Sequence, residues 1–384
     1  MRLPPARKLY LHAADLQEQL AGLPSTCGIY ALHAAGKAAH ISWSVNLRRR
    51  LSRLLVSSYT SGSRDSVRER LRSQIESVEY WPTGSKLETS LLLYQLTKEQ
   101  FPEDYLFRLR LRMPWFVTVH QGDAFPRLAV VNRISRKCSS PYGPFPSRDV
   151  AQRYEEEVLA LFQLRRCTEM FTPAPDHPGC IYGEMNQCLR PCQCAVTADE
   201  YGSEVARVAD FLATNGKSSI AVLQTARERA AAQTDFEEAA QIHKRIQKVN
   251  AAAALRDEIV RAVDSFSGLA LTRGSEPGEM CFWPMVNGFW QEPLRLQLSL
   301  EEPSARSLDQ QLRELFASGL AAPDSSGKRL EHLAIFSRWF YSSWRDGEWF
   351  PFRTPADLNY RRLVKEISKH FRAANAGGEA ILTS

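Results

Sequence analysis

The sequence has no apolar run that approaches the roughly 18 residues of a membrane span, no internal repeat and no low-complexity tract. Its opening, MRLPPARKLYLHAADL, lacks the uninterrupted apolar stretch of a secretory signal. We therefore expect a cytoplasmic protein whose eight cysteines stay reduced rather than forming disulfides. With 384 residues and 44% hydrophobic content, the chain is long enough for two or three domains with buried cores.

Four of the cysteines lie close together, in the spacing C-x12-C-x7-C-x3-C. They are Cys167, Cys180, Cys188 and Cys192. Thiolates are soft ligands for zinc or for iron-sulfur clusters, so the spacing predicts a metal node between two larger regions. Structural zinc usually draws on two short C-x2-4-C pairs, and only Cys188 and Cys192 are that close, which favours a cluster. Zinc and four unliganded buried cysteines are the alternatives.

Positive charge is concentrated at the start of the chain. The whole chain has a net charge of +6, whereas residues 1–72 alone carry 12 Lys and Arg against 4 Asp and Glu. A basic region of this kind favours a polyphosphate partner, so nucleic acid is the leading partner class. The candidate DNA-binding residues are Arg48, Arg49, Arg50 and Arg53. An ordinary solvated helix face is the alternative.

The apolar pattern predicts a multidomain α+β protein. Short strands and helices alternate over residues 1–100, and a strand-rich connector follows over 101–148. The cysteine-rich region spans 149–198, and helical spacing fills 199–262. Residues 263–384 read as a C-terminal β/α domain.

Three local patterns make sharper predictions. Strict alternation from Leu106 to Arg112 predicts a strand. Thr234 with Glu237 predicts a capping box at a helix start. The helix that follows has a narrow apolar seam, which favours a helical hairpin or coiled coil and leaves open whether the seam packs internally or docks on another protein. The seam residues are Ala239, Ile242, Ile246, Val249 and Ala253.

Aromatic residues interleave with arginines near the C-terminus, in HLAIFSRWFYSSWRDGEWFPF. Such mixtures can stack nucleobases, but they more often fill a core. The segment therefore indicates either a surface that stacks on nucleobases or a buried core.

Three motifs, in this order, resemble the UvrC family, the nuclease subunit of bacterial nucleotide excision repair. GIY at Gly28 to Tyr30, with NLRRRL at Asn46 to Leu51, is similar to the start of a GIY-YIG nuclease domain. The YGPFPS loop at Tyr142 to Ser147 and the four cysteines, with LRPC ending at Cys192, resemble the family's cysteine-rich region. DFEEAAQIHKRI at Asp235 to Ile246 resembles its UVR motif.

This resemblance implies cofactors and partners. Residues 1–100 would be a degenerate GIY-YIG domain and 199–262 the UVR domain. The four cysteines would hold a [4Fe-4S] cluster, with zinc as the alternative. The UVR hairpin would dock on the matching hairpin of a UvrB-like protein, and the whole would bind DNA. The carried-over contact residues are Phe236, Glu237, Glu238, Ala239 and Ala240.

The nuclease signature departs from the family pattern in its second half. Tyr30 occupies the position of the first tyrosine and Arg50 that of the arginine. The segment HIS at 40–42 stands where the family has YIG, and Trp43 stands where a lysine is expected. Most of the catalytic site has therefore been rewritten.

Cleaving a phosphodiester needs a base, a cation and usually a metal held by a carboxylate. His40 could be the base, with an ordinary pKa of about 6.5, and Arg50 could steady the phosphate. Thr89 stands where the metal-binding glutamate is expected, and Glu88 lies one position early, a rotation of about 100° on a helix. An active site would use Tyr30, His40, Arg50 and Glu88 with Mg²⁺ or Mn²⁺, provided that Glu88 lies in the helix's first, irregular turn.

The family's second nuclease, an RNase H-like module followed by helix-hairpin-helix motifs, is not evident in the sequence. We therefore carry three hypotheses. The first is a UvrC-like DNA-binding factor that docks on UvrB with catalysis weak or lost. The second is an active single-incision endonuclease with a His40-variant site. The third is an iron-sulfur structural or redox protein for which DNA is incidental.

Overall fold

A computed structural model describes residues 4–11, 15–36, 38–56, 74–121, 124–134, 138–297, 307–317 and 328–379. The chain divides into two compact units. The first combines Met1–Arg112 with Ser267–Ser326 and Arg338–Ser384, and the second combines Met113–Phe266 with Gly327–Ser337. Mixed helices and three separate sheets in the described residues confirm the predicted α+β class.

The N-terminal segment of the first unit builds an antiparallel sheet. Its strands are β1 (Arg7–Tyr10), β2 (Gly28–Ala34), β3 (His40–Ser44) and β4 (Ile75–Pro82), in the order β1-β4-β2-β3. Because side chains alternate along β2, Tyr30 packs on one face of the sheet and Ile29 and Ala31 pack on the other. The Tyr30 face is covered by α1 (Leu16–Ala21) and by the leucines of α2 (Leu47–Leu55).

Helix α3 (Lys86–Gln100) covers the opposite face through Leu92 and Leu96. A short helix α4 (Tyr105–Leu109) follows, so the strand predicted from Leu106 to Arg112 is wrong. Arg108 donates to the carboxylate of Asp104 at 2.8 and 2.9 Å across the helical turn. Leu106 and Phe107 are exposed, so the alternation of apolar residues in this segment does not mark a strand with one buried face.

The second unit contains another antiparallel sheet with helix α5 (Arg148–Leu159) packed against it. Its strands are β5 (Trp115–His120), β6 (Arg127–Val131), β7 (Cys138–Phe145) and β8 (Arg261–Ala262), in the order β6-β5-β7-β8. The loop predicted at Tyr142 to Ser147 is corrected, because its first four residues belong to β7. The Gly143–Pro144 peptide bond is cis, and the register between β5 and β7 shifts beside it. Proline is tolerated in a sheet at such irregularities.

Four further helices belong to the second unit: α6 (Ile181–Glu184), α7 (Ala198–Thr214), α8 (Lys217–Ala232) and α9 (Phe236–Ala254). Helices α8 and α9 form the predicted hairpin, with Ile246 and Val249 of the seam buried. The predicted capping box is wrong. Thr234 has a left-handed φ of 58°, and Asp235 is the N-cap, accepting from the Glu238 amide at 2.9 Å. An N-cap residue needs a non-helical conformation and a side-chain acceptor, which Asp235 supplies.

The chain returns to the first unit with a sheet of five strands and the last helices. The strands are β9 (Gly268–Arg273), β10 (Glu279–Val286), β11 (Phe289–Trp290), β12 (Leu294–Gln297) and β13 (Glu348–Pro351). Strand order is β11-β10-β9-β13, with β12 also paired to β10. The helices are α10 (Leu308–Ala317), α11 (Arg329–Phe340), which begins in the second unit, and α12 (Tyr360–Glu379).

The C-terminal aromatic segment mainly builds a core. Trp339, Trp349, Phe350 and Phe352 are all buried, so these rings are not available to stack on bases. Among the described helices, none combines the length and the apolar character that crossing a bilayer requires.

Candidate functional site

The two residues that match the first half of the nuclease signature meet in the structure. Tyr30 of β2 is fully buried, and its phenolic oxygen accepts a hydrogen bond from Nε of Arg50 at 3.2 Å. Helix α2 presents Arg50 because Leu47 and Leu51 bury its opposite side against the sheet. The exposed guanidinium of Arg50 can face a phosphate while the buried Tyr30 hydroxyl holds it, but the pair contains no base and no metal ligand.

His40 begins β3 on the same face of the sheet. Ser42 is directly opposite Tyr30 in the register, and His40 is opposite Leu32, two residues along. Side chains two residues apart on a strand point to the same side. The side chain of His40 is therefore exposed on the Tyr30 side of the sheet.

Glu88 lies elsewhere, in the first turn of α3, and is only 4% exposed. One carboxylate oxygen accepts from the Gly84 amide at 2.7 Å, and the other accepts from Nη2 of Arg295 at 2.5 Å. Nη1 of Arg295 in turn lies 3.1 Å from a carboxylate oxygen of Glu279. Burial raises the pKa of Glu88, whereas Arg295 and the Gly84 amide act in the opposite direction. Both oxygens of this carboxylate are thus engaged by the protein itself.

Thr89, which stands where the family has its metal-binding glutamate, also faces protein. Its hydroxyl lies 2.7 Å from Oγ1 of Thr83 and donates to the Ser85 carbonyl at 2.8 Å. The Cys27 sulfur lies 3.5 Å away. A hydroxyl in a hydrogen-bonded cluster is a poor substitute for a carboxylate ligand.

A divalent metal therefore does not fit this nuclease-like site. Its one carboxylate candidate, Glu88, is bonded to Arg295, and the α3 leucines near it pack on the sheet face opposite Tyr30. The structure brings Tyr30 and Arg50 together and places Glu88 in a different network. Within the described part of the chain, no three His, Cys, Asp or Glu side chains are grouped so that they could hold a metal ion.

The four cysteines of the predicted node lie in the irregular segment around α6 and before α7. Cys188 and Cys192 are buried, and Cys167 and Cys180 are half-buried. The backbone amide of Arg190 donates to Sγ of Cys188 at 3.4 Å. Burial raises the pKa of the Cys188 thiol, the Arg190 amide lowers it, and the other three thiols raise it again.

Neighbouring thiols of the set also raise the pKa values of Cys188 and Cys192, but no three of the described cysteines are grouped closely enough to hold a metal ion. The donor set itself suits an iron-sulfur cluster, because it offers four soft sulfurs, two of them on buried residues, with an amide hydrogen bond to one of them. These four cysteines would hold such a group.

A buried arginine hydrogen-bonds to the backbone of the segment that carries the first of these cysteines. Arg165 is 2% exposed, and its Nε donates to the Phe125 carbonyl at 2.7 Å. Its Nη1 donates to the Glu169 carbonyl at 3.0 Å and lies 3.8 Å from Sγ of Cys167. A guanidinium with several fixed acceptors holds the backbone that carries Cys167.

The candidate DNA-binding arginines lie on α2. All four of Arg48, Arg49, Arg50 and Arg53 are exposed. Arg48 is tied to the Leu23 carbonyl at 2.6 Å and Arg50 to Tyr30, which leaves Arg49 and Arg53, one helical turn apart, facing solvent. The helix sequence LRRRLSRLL contains no acidic residue to neutralise them.

The candidate partner-binding residues form the exposed start of α9. Phe236 is 72% exposed, and Glu237, Glu238 and Ala240 are exposed with it, whereas Ala239 is half-buried. The seam further along the helix is directed inward, where Ile246 and Val249 are buried. The hairpin therefore uses its seam internally and leaves its tip open.

Much of the chain is similar to known proteins. Residues 113–211, which hold strands β5 to β7, the cysteine segment and most of α7, match the middle domain of the UvrC/Cho excinuclease family. UvrABC system protein C of Alcanivorax borkumensis is 27% identical over 327 residues, 76% of this chain and 53% of the relative. That of Moorella thermoacetica is 26% identical over 265 residues, 68% of this chain and 42% of the relative.

The chain is therefore similar to proteins of the UvrC family, and its residues 113–211 match the middle domain of that family. It spans about half the length of the curated relatives it matches. No solved structure matches it.

Sequence reasoning missed two residues that define these sites. Arg295, which engages Glu88, is 207 positions away in the sequence, and its period-2 strand gave no sign of a partner. Arg165 stands two residues before Cys167, and this proximity was the available signal.

Proposed function

We propose that this protein is a UvrC-like, DNA-binding factor of nucleotide excision repair that docks on a UvrB-like protein, with nuclease activity weak or lost. The observation that carries the proposal is the UvrC/Cho middle domain at 113–211 running directly into a helical hairpin with an exposed tip. The family match supplies the repair context, and the hairpin supplies a surface for a partner.

DNA contact is assigned to Arg49 and Arg53, with Arg48 and Arg50 in support. The first two present their guanidinium groups one turn apart on an exposed helix face with no nearby acid on that helix. Phosphate contacts release counterions, so affinity should fall as salt rises, with a slope of about 0.9 per contact on duplex.

Partner docking is assigned to the start of α9. An exposed aromatic beside two acidic side chains is a combination typical of protein interfaces, in which a buried ring is surrounded by polar groups. Phe236 would insert into the partner, and Glu237 and Glu238 would line the rim.

Weak or absent catalysis is supported by the bonds of Glu88. Its carboxylate is saturated by Gly84 and Arg295, and Thr89 offers no charge for a metal. Arg50 remains a candidate for phosphate contact without cleavage, because its guanidinium is exposed and is held by the buried Tyr30 hydroxyl.

The four cysteines are proposed to hold a [4Fe-4S] cluster. When bound, the cluster would cross-link the segment structurally and carry one electron at a time. Anaerobically purified protein should contain about four irons per chain, and Cys188→Ser should lose them. Cys194→Ser is the matched control, because Cys194 is exposed and lies outside the set. Colourless protein with one zinc would replace the cluster by the zinc alternative.

The function is tested by DNA affinity across a salt series, measured by fluorescence anisotropy on a lesion-bearing duplex. Replacing Arg49 and Arg53 by Gln should lower the salt slope by about 1.8, two contacts at about 0.9 each. Arg361→Gln, an exposed arginine of α12, is the control and should leave the slope unchanged. Affinity that ignores salt, or that survives loss of both arginines, would favour the iron-sulfur redox hypothesis instead.

A further inference from the structure

The C-terminal sheet presents a polar face to the N-terminal segment of the same unit. Along β10, Met280 and Phe282 point into the core built with α10 and α12. Alternation turns Glu279 and Cys281 to the other side, where Arg295 of β12 is the cross-strand partner of Cys281. This face meets Glu88.

Arg295 joins two carboxylates from different parts of the chain. Its Nη2 lies 2.5 Å from Glu88, and its Nη1 lies 3.1 Å and 3.2 Å from the two oxygens of Glu279. The Glu88 side chain is 5% exposed and that of Glu279 is 12% exposed, whereas that of Arg295 is 36% exposed. A guanidinium between two carboxylates matches their geometry and neutralises the charge that burial would otherwise penalise.

A second contact fixes the same turn. The backbone amide of Lys86 donates to Asp346 at 2.5 Å, and the other oxygen of Asp346 accepts from the Trp339 indole at 3.1 Å. Gly84, just before α3, lies so close to Gly274 that a methyl group on it would come within 1.8 Å of the Gly274 carbonyl oxygen. The C-terminal segment is therefore seated on the turn that holds Glu88.

We propose that Arg295 is a built-in cation that takes the place of a divalent metal at Glu88 and fastens the C-terminal sheet to the N-terminal domain. It rests on the proposed weak or lost nuclease function and deepens it by explaining why Glu88, the remaining carboxylate candidate, is not free to hold an ion. A fixed guanidinium satisfies the carboxylate permanently, so the protein needs no ion there and offers none to a phosphate. Removing the guanidinium leaves two buried carboxylates facing each other, which is a donor pair that Mg²⁺ or Mn²⁺ can bind.

The test is thermal unfolding of the full chain with and without millimolar MnCl₂. Wild-type protein should show no shift of Tm on adding Mn²⁺. Arg295→Ala should lower Tm by roughly 5–10 °C, because one partner of a buried ion network is lost, and Mn²⁺ should restore at least half of that loss. Adding Glu88→Gln to Arg295→Ala should abolish the Mn²⁺ response.

Two further variants keep the result interpretable. Arg273→Ala removes an exposed arginine from the neighbouring strand β9 and should leave Tm unchanged. Arg295→Lys keeps the positive charge but cannot contact two carboxylates as a guanidinium does, so it should give an intermediate Tm and no Mn²⁺ response. This variant keeps the proposal testable if the alanine variant does not fold.

The proposal is overturned if Mn²⁺ raises the Tm of the wild-type chain in a Glu88-dependent way. It is equally overturned if Arg295→Ala matches the wild-type Tm or, when destabilised, ignores Mn²⁺. DNA affinity and UvrB binding of the wild-type chain are read separately. If the wild-type chain binds neither DNA nor UvrB but shows the expected Tm pattern, the proposed repair role is wrong and the proposed role of Arg295 still holds.

Discussion

Phe236→Ala tests the proposed partner-binding role of the hairpin separately from folding, because the exposed ring contributes little to the stability of the fold. Phe236 is 72% exposed at the first residue of α9. Its truncation should change the free energy of unfolding by no more than about 0.5 kcal/mol, as expected for surface positions. Any large effect must therefore appear in binding.

The magnitude follows from the exposed area. A phenylalanine buries about 200 Å² when fully covered. Since 72% of Phe236 is still accessible, about 140 Å² is left for a partner, which at about 25 cal/mol per Å² is worth up to about 3.5 kcal/mol. Interface hot spots begin at about 2 kcal/mol. The Kd for UvrB should thus rise by about 30- to 300-fold.

The assay is titration calorimetry or biolayer interferometry with purified UvrB, with unfolding in denaturant measured on the same samples. Phe107→Ala is the matched control, since Phe107 is 85% exposed and belongs to the first unit rather than the hairpin. Equal affinity of Phe236→Ala and wild type would refute the assignment of the tip as the docking surface. Equal losses in both variants would point to nonspecific adhesion.

Three further outcomes follow from the described contacts. Ile246→Ala should lower the free energy of unfolding by about 2–4 kcal/mol, because it opens a cavity in the hairpin seam, whereas the exposed Lys244→Ala should not, as denaturant titration will show. Asp235→Ala should cost about 1 kcal/mol as a lost N-cap, and Thr234→Ala should cost less; the reverse order would restore the capping box. Burial raises the pKa of Glu88 above its ordinary value of 4.5, so the native state holds more protons. Stability should therefore fall as the pH rises from 4.5 through the raised pKa of Glu88 in the native state. Glu88→Gln should remove this part of the pH dependence, and an unchanged profile would contradict the assignment.

Much of the fold could be predicted where one face of an element is buried. The strand predicted at the GIY segment is β2. The apolar seam of α9 has the spacing of a packed helix, and the structure buries its Ile246 and Val249. Prediction failed at Leu106 to Arg112 because the segment lies at the surface, where alternation carries no information on packing.

The catalytic question could be raised from the sequence but not answered there. Whether Glu88 could serve as a ligand depended on what faced the first turn of α3. The answer, Arg295, comes from a strand 207 positions later, and a contact of that sequence separation has no local signature. For the same reason, Asp346 could not be recognised as an acceptor for the Lys86 amide.

We infer that this chain binds damaged DNA and a UvrB-like protein without cutting the DNA. This inference is tested by incubating a lesion-bearing duplex with the chain, UvrB and Mg²⁺ or Mn²⁺ and monitoring binding and incision in the same reaction. We expect a bound complex with intact strands. Metal-dependent nicks that disappear in Tyr30→Phe and Arg50→Ala would contradict it and establish an active endonuclease.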